Sequence, residues 1–430
     1  MTKLYLDFDS FFASAEQHFN PALRGKPIGV VPINAPNAAC VALSKEAKAA
    51  GVPSHSRIDA ARQILPECTF VVARPDAYVR LHHRVLAVIE QCVPVGTVRS
   101  IDELVCDLVQ SEADDAAALI QRIKTALCDA FGPVLTCSIG VAPTEMLAKV
   151  AAESCKPDGA SVWRECELQA RIEGLSLRTL PGISDGMESR LKAAGIADIS
   201  ALWHVEPKRA RAIWGSIEGE RFWNALHGLA YKRPTTTKRM FGHSRILTKS
   251  WRNARGVRAC SRQLVLSAAR RLRRAGYRAT KMTMGARNTH YGSGGRHASK
   301  PRWSSELVFD PARDDLTLLS HLAELVDRFD CHGPDQPRSV SVMLHGLTPE
   351  DVQQGELFAA TEPKHDRRDA LSDALDELRA RHGPNAATIG PKVDLPGGYL
   401  GAKIAFGRIP DLADFSDAFT KDSDTHFCTV

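Results

Sequence analysis

The chain has 430 residues, 44% of them hydrophobic and 25% charged, enough for two to four domains at about 100–200 residues each, which excludes a small peptide or a mostly disordered chain. Its net charge of +6 is unevenly spread: the 85 residues from Arg221 to Ser305 hold 21 Lys and Arg and no Asp or Glu, while the other 345 hold 35 basic and 50 acidic groups. An acidic body with one cationic segment is the footprint of a polyanion-binding surface, and no apolar run nears the ~18 residues that span a bilayer.

Leu4, Leu6 and Phe8 alternate with Tyr5, Asp7 and Asp9, the period of a strand, which puts both carboxylates on the face opposite the leucines. The pattern starts too early to leave room for an export signal, so a cytoplasmic location and no membrane partner are expected. Ala13–Phe19 predicts a helix, and Pro27–Val31 and Ala38–Leu43 predict strands. Glu46–Ala50, stopped by Gly51, and Arg57–Ile64, stopped by Pro66, read as short helices. Tyr78–Cys92 reads as a longer one, with Leu81, Val85, Val88 and Ile89 on one face. The apolar runs Val93–Val98 and Leu104–Val109 flank Arg99-Ser100-Ile101-Asp102-Glu103, which predicts neighbouring strands joined by a tight turn. A helix at Asp115–Phe131, a strand at Leu135–Val141 and a helix at Thr144–Ser154 continue the alternation of an α/β or α+β domain.

After Lys156-Pro157-Asp158-Gly159 the pattern turns helical, and Leu180-Pro181-Gly182-Ile183-Ser184 before an amphipathic stretch ending at Gly195 has a helix–hairpin–helix layout. Tyr231–His243, rich in Thr, Lys and Arg, reads as a linker. Beyond it, a basic helix at Val257–Ala275, strands at Lys281–Ala286 and Glu306–Phe309, a helix at Leu316–Phe329 and a strand at Ser339–Leu344 fit a smaller α+β domain. Asp369–Arg381 predicts one more helix before a polar, Asp-rich end read as disordered. The 11 cysteines are scattered with no C-x-x-C pair, the usage of reduced structural thiols.

The chemistry concentrates in acids. Asp7 and Asp9 lie on an early strand and Asp102-Glu103 at a turn between strands; buried carboxylates repel unless neutralised, and clusters of them hold divalent metal. Spacing alone leaves open whether residue 7 meets residue 102, and ordinary surface or turn acids are the other reading.

Asp7-Phe8-Asp9-Ser10-Phe11-Phe12, Arg99-Ser100-Ile101-Asp102-Glu103, Ser138-Ile139-Gly140-Val141-Ala142-Pro143 with Leu147-Ala148-Lys149, Lys156-Pro157-Asp158-Gly159 and Leu180-Pro181-Gly182-Ile183 occur in order. In order and spacing they resemble the Y-family translesion DNA polymerases of the bacterial DinB/UmuC type. The likeness is dense over residues 1–230 and mainly topological over 231–350. It implies an α+β multidomain right hand: palm at 1–11 and 77–163, fingers at 12–76, and a helical thumb carrying the helix–hairpin–helix at 164–230. A linker at 231–243, an α+β little finger at 244–348 and a partly disordered tail at 349–430 complete it. The implied activity is template-directed, DNA-dependent DNA synthesis in damage bypass and repair, under the SOS response. The residues left over are too few for a proofreading exonuclease domain of ordinary size.

By the same resemblance, Asp7, Asp102, Glu103 and the Phe8 carbonyl hold two Mg²⁺ ions, with Mn²⁺ as a substitute, and Asp9 is a supporting acid. Phe12 matches an aromatic gate against a ribose 2′-hydroxyl; filling the core is its other reading. Lys149 and Lys156 match lysines near the incoming nucleotide. Lys45 and Lys48 stand where the family has Tyr and Arg, and two ammonium groups neutralise phosphate without an arginine's bidentate fork. Gly182, Ile183 and Ser184 match a loop whose backbone N–H groups grip a DNA phosphate, although Ser184 replaces a glycine and Asp185 adds a negative charge. Arg245, Lys249, Arg252 and Arg255, then Arg258, Arg262 and Arg270-Arg271-Leu272-Arg273-Arg274, suit duplex phosphates through a helix with leucines inward and arginines outward. Gln354, Leu357 and Phe358 have the Q-x-x-L-F form of a sliding-clamp peptide. The expected partners are primer–template DNA, deoxynucleoside triphosphates and the clamp, for a chain that acts as a monomer. Two other readings remain: a catalytically weak or inactive DNA- and clamp-binding scaffold of the same fold, and a palm-based nucleotide cyclase, which would need neither the cationic segment nor the thumb hairpin.

Overall fold

In the computed structural model, which describes residues 2–32, 38–231, 237–288, 302–350, 363–383, 386–390 and 409, the chain divides into two units between residues 234 and 235. The first begins with β1 (Thr2–Phe8), α1 (Phe11–Phe19), β2 (Ile28–Val31), β3 (Ala42–Leu43), α2 (Lys45–Ala49), α3 (Ile58–Ile64), β4 (Thr69–Val72) and α4 (Pro75–Glu90). Next come β5 (Thr97–Val98), β6 (Glu103–Leu108), α5 (Gln110–Asp114), α6 (Ala116–Phe131), β7 (Cys137–Ala142), α7 (Glu145–Ser154) and β8 (Ala160–Val162). Short helices end the unit: α8 (Leu168–Ile172), α9 (Asp185–Ala193), α10 (Ile199–Trp203), α11 (Pro207–Trp214) and α12 (Glu218–Leu226).

β1 is the centre of a five-stranded sheet of order β5-β6-β1-β7-β8, antiparallel to both neighbours. Leu4 to Phe8 are all buried, so the alternation read in the sequence sorts side chains between two covered faces rather than between core and water. Tyr5 and Val105 share one face with Leu147, Ala148 and Ala151 of α7 and with the small helices behind it. Gly140 explains how closely α7 sits on β7: a Cβ there would lie 2.0 Å from the Ala148 carbonyl oxygen. β2, β3 and β4 form a separate three-stranded sheet over a small core containing Cys40, Ala47 and Phe70.

The second unit contains β9 (Met240–Ile246), α13 (Ala254–Arg274), β10 (Tyr277–Arg287), β11 (Arg302–Ala312), α14 (Asp315–His332), β12 (Ser339–Pro349) and α15 (Pro363–His382). Its sheet has the order β11-β10-β12-β9, and α13 and α14 bury Leu264, Leu272, Leu318 and Leu325 with Met282, Met284 and Val342 of the strands. The reading of 231–243 as a linker is too long: β9 starts at Met240 and pairs with β12. Of the run Ala38–Leu43, only Ala42–Leu43 is a strand, with one isolated bridge at Ala39. Among the described residues the cysteines are free and no helix is long and apolar enough to cross a membrane.

Candidate active site

The β1–β6 register sets Asp7 opposite Glu103, and the Phe8 amide donates to the Asp102 carbonyl at 2.9 Å. Backbone pairing thus joins residues that spacing alone could not. Asp7 is 4% exposed, and Lys156 Nζ lies 2.8 Å from its Oδ1 and 2.7 Å from Glu153 Oε1. Glu103 Oε1 lies 2.5 Å from Lys149 Nζ, which also sits 5.3 Å over the Tyr5 ring. The Ser100 hydroxyl donates to Asp102 Oδ1 at 2.5 Å, fixing the turn.

Burial pushes Asp7 up to about 8, and the Glu153 and Asp102 charges add to it against the pull of Lys156. Asp102 is raised as well, chiefly by burial. Burial also opposes the charge on Glu103, but the hydrogen bond and charge of Lys149 outweigh it and hold that carboxyl below its ordinary range. Lys156 is held above its ordinary range: burial works against its charge, and Asp7 and Glu153 overcome it. Asp9 has another task. Its carboxylate accepts from Ser138 Oγ and Thr136 Oγ1 at 2.9 Å and from the Asp158 amide at 2.8 Å, pinning the loop that carries Lys156 just beyond the end of β1.

These acids are hard oxygen donors in a partly dry setting where a carboxylate stays ionised only beside a cation, the chemistry that suits Mg²⁺ or Mn²⁺. Among the described residues no group of three or more His, Cys, Asp or Glu side chains stands ready around a metal position; lysines balance the acids instead.

A cleft of about 310 Å³ opens at this strand end. Asp7, Phe12, Lys48, Asp102 and Lys156 line it, joined by Glu153, Ser54 and His55. Phe12 is stacked on Tyr78 with ring centroids 4.7 Å apart. Burial and the nearby Lys156 charge lower the basicity of Lys48. Lys45 takes a different direction and donates to Thr136 Oγ1 at 3.2 Å. Lys149 and Gly182 line a second cavity, of about 480 Å³, with Tyr5, Arg99 and Arg221. Sequence reading missed Ser54, His55 and Glu153. His55 carries no motif, but Glu153 had a signal, an acid three residues before a lysine at a helix end.

Gly182 has φ +98°, which a glycine adopts freely. Ile183 is buried in the core, so only its backbone can face a ligand. Ser184 precedes α9 without a side-chain cap, and Asp185 is paired with Arg178. In the second unit Lys249 and Arg255 are exposed and Arg245 is half-buried, while Arg252 donates to the Leu247 carbonyl at 3.1 Å. The expectation of outward arginines on α13 fails at Arg271 and Arg273, which are buried. Arg273 pairs with Asp315 and with Asp376 of α15, each at 2.8 Å. Gln354, Leu357 and Phe358 lie outside the described residues.

Residues 6–153 match the impB/mucB/samB family, and residues 238–357 match the C-terminal domain of that family. Among curated proteins, the chain is 29% identical over 390 residues to the DNA polymerase IV of Moorella thermoacetica, covering 88% of this chain and 93% of that one. It is 31% identical over 236 residues to that of Streptomyces coelicolor, covering 54% and 48% respectively. Among solved structures it is similar to a Y-family DNA polymerase chimera of Dbh and Dpo4, with TM-score 0.67 and 22% identity over 81% of this chain and 100% of that one. It is also similar to an insertion ternary complex of Dbh DNA polymerase, with TM-score 0.54 and 23% identity, covering 80% and 98%.

Proposed function

Since the chain belongs to the impB/mucB/samB family of Y-family polymerases, we propose that the cleft at the end of β1 is where it adds deoxynucleotides to a primer. The chain is a DNA-directed DNA polymerase of the translesion kind, as its DNA polymerase IV relatives are named, and the family implies dependence on a divalent cation. The observation that carries the assignment is that Asp7, Asp102, Phe12, Lys48 and Lys156 line one cleft, although they come from four separate stretches of chain.

Asp7, Asp102, Glu103 and the Phe8 carbonyl are the groups to hold two divalent ions, which when bound supply charge compensation to the primer hydroxyl and the leaving pyrophosphate. Asp7 and Asp102 offer carboxylates whose burial makes an added cation favourable. Lys156 and Lys48 present ammonium groups on the cleft wall, suited to a triphosphate. Phe12, locked against Tyr78, puts a rigid ring where a ribose 2′-hydroxyl would have to fit. Gly182 and its neighbours are assigned to a duplex phosphate, Lys249, Arg252 and Arg255 to further phosphates, and Gln354, Leu357 and Phe358 to a sliding clamp. Primer extension on a templated duplex with Mg²⁺ tests this reading: the parent chain extends, and Asp102→Ala/Glu103→Ala binds the duplex without extending it. Equal extension by both proteins would remove the carboxylates from the mechanism. No extension by the parent, with binding intact, would favour a scaffold.

A further inference from the structure

Glu153 lines the cleft but has no place in the mechanism above. It lies in the last turn of α7, which Gly140 seats firmly on β7, while Lys156 leads the loop that Asp9 pins through the Asp158 amide. Both backbones are therefore fixed, and their side chains meet at 2.7 Å, with Lys156 also 2.8 Å from Asp7. Exposure rises in order along the three: the side chains of Asp7, Lys156 and Glu153 are 6%, 28% and 43% accessible.

We infer that Glu153 is a positioning residue that shares the Lys156 ammonium with Asp7, so that Lys156 stays on the cleft wall and Asp7 remains open to a divalent cation. This rests on the polymerase reading of the same cleft. An ammonium has three donors and no acceptor. With Asp7 as its sole partner, it would close on a buried carboxylate whose attraction strengthens as the local dielectric falls, and a cation would have to displace it. A second carboxylate on the solvent side takes one donor and draws the charge outward. When Asp7 turns to another cation, Lys156 keeps a partner and keeps its place.

The test uses Mn²⁺ binding to the full chain without DNA or nucleotide, followed by free-Mn²⁺ electron paramagnetic resonance, together with steady-state single-nucleotide insertion. Exchange of the carboxylate for a neutral amide, which still accepts from Lys156 but without the charge, predicts that Glu153→Gln weakens Mn²⁺ about tenfold and raises the nucleotide KM by a similar factor, with kcat little changed. Glu153→Asp should recover most of both, and the half-exposed position should leave Tm unchanged. In a Lys156→Met background Glu153→Gln should alter neither quantity, because the effect travels through Lys156. Parent-like Mn²⁺ affinity in Glu153→Gln, or an undiminished effect in the Lys156→Met background, would overturn the inference. A parent chain that fails to extend primers but shows these Mn²⁺ shifts would sink the polymerase reading and leave the positioning role standing.

Discussion

Phe12 shows what a single position decides. Of two consecutive phenylalanines, spacing alone cannot say which one merely fills the core, and only the family resemblance points to Phe12 as the gate; both are buried and both line the cleft. Phe12 is the one stacked on Tyr78, whose phenol donates to Glu16 Oε1 at 2.7 Å, while Arg74 holds Glu16 from the other side at 2.7 Å. A ring braced in this way excludes volume sharply, so Phe12→Ala should raise the ratio of ribonucleotide to deoxyribonucleotide insertion about tenfold or more. Phe12→Leu, which keeps more of the core volume, should raise it less. An unchanged ratio in the folded Ala variant would return Phe12 to the core. His82 is a second residue-scale case. It is buried, its Nδ1 lies 2.8 Å from the Ile101 carbonyl beside the acidic turn, and burial pushes its pKa down to about 4. The unfolded chain takes up this proton below about pH 6.5 and the folded chain only near pH 4. Stability is therefore complete above pH 6.5 and is lost as the pH falls toward 4, by up to about 3 kcal/mol. His82→Gln should flatten the acid side of a Tm–pH curve; an equally steep fall in both proteins would assign the loss to other groups.

At the scale of elements, periodicity exposed whatever was long and one-sided. The sequence reading of α4, α6, α13 and α14 agrees with the structure to within a few residues at either end, because each has an apolar stripe over several turns. The two-residue strands β3 and β5 carry too few residues for any period, and β9 was hidden in a Thr- and Arg-rich stretch whose burial pattern is irregular. The buried arginines of α13 were illegible for another reason: their partners lie far along the chain. Asp315, fully buried, accepts from Arg273 at 2.8 Å, and Asp376 of α15 takes both Arg273 and Arg379. Arg313 likewise holds Asp369 and Asp373 at 3.1 and 2.7 Å. α15 thus docks through charge. Asp315→Asn leaves two buried guanidinium groups short of an anion and should cost about 3–5 kcal/mol in denaturant unfolding of the full chain. A loss below about 1 kcal/mol would mean that the network is solvated.

For the whole molecule, the charge division visible in the sequence survives with a revision. Asp7, Asp102 and Glu103 of the first unit do gather at one strand end, but part of the cationic excess of residues 221–305 is spent inside the second unit on Asp315, Asp369 and Asp376. Lys249 and Arg255 remain exposed. The site was legible as motifs and not as geometry: Asp7, Asp102, Phe12, Lys48 and Lys156 share a cleft, whereas Lys45 and Lys149 face other surroundings. That difference depends on where α2 and α7 place each side chain, which no spacing encodes. In the proposed polymerase, Asp7 is a buried carboxyl group that serves the transfer of nucleotides and not the stability of the fold. The most direct test of that role is single-nucleotide insertion by Asp7→Asn, with duplex affinity and Tm measured on the same protein. That role predicts an insertion rate lower by about 100-fold or more, unchanged duplex affinity and a Tm no lower than the parent's, because a neutral amide replaces a carboxyl group that burial has already pushed up to about 8. Insertion within a few fold of the parent would contradict it.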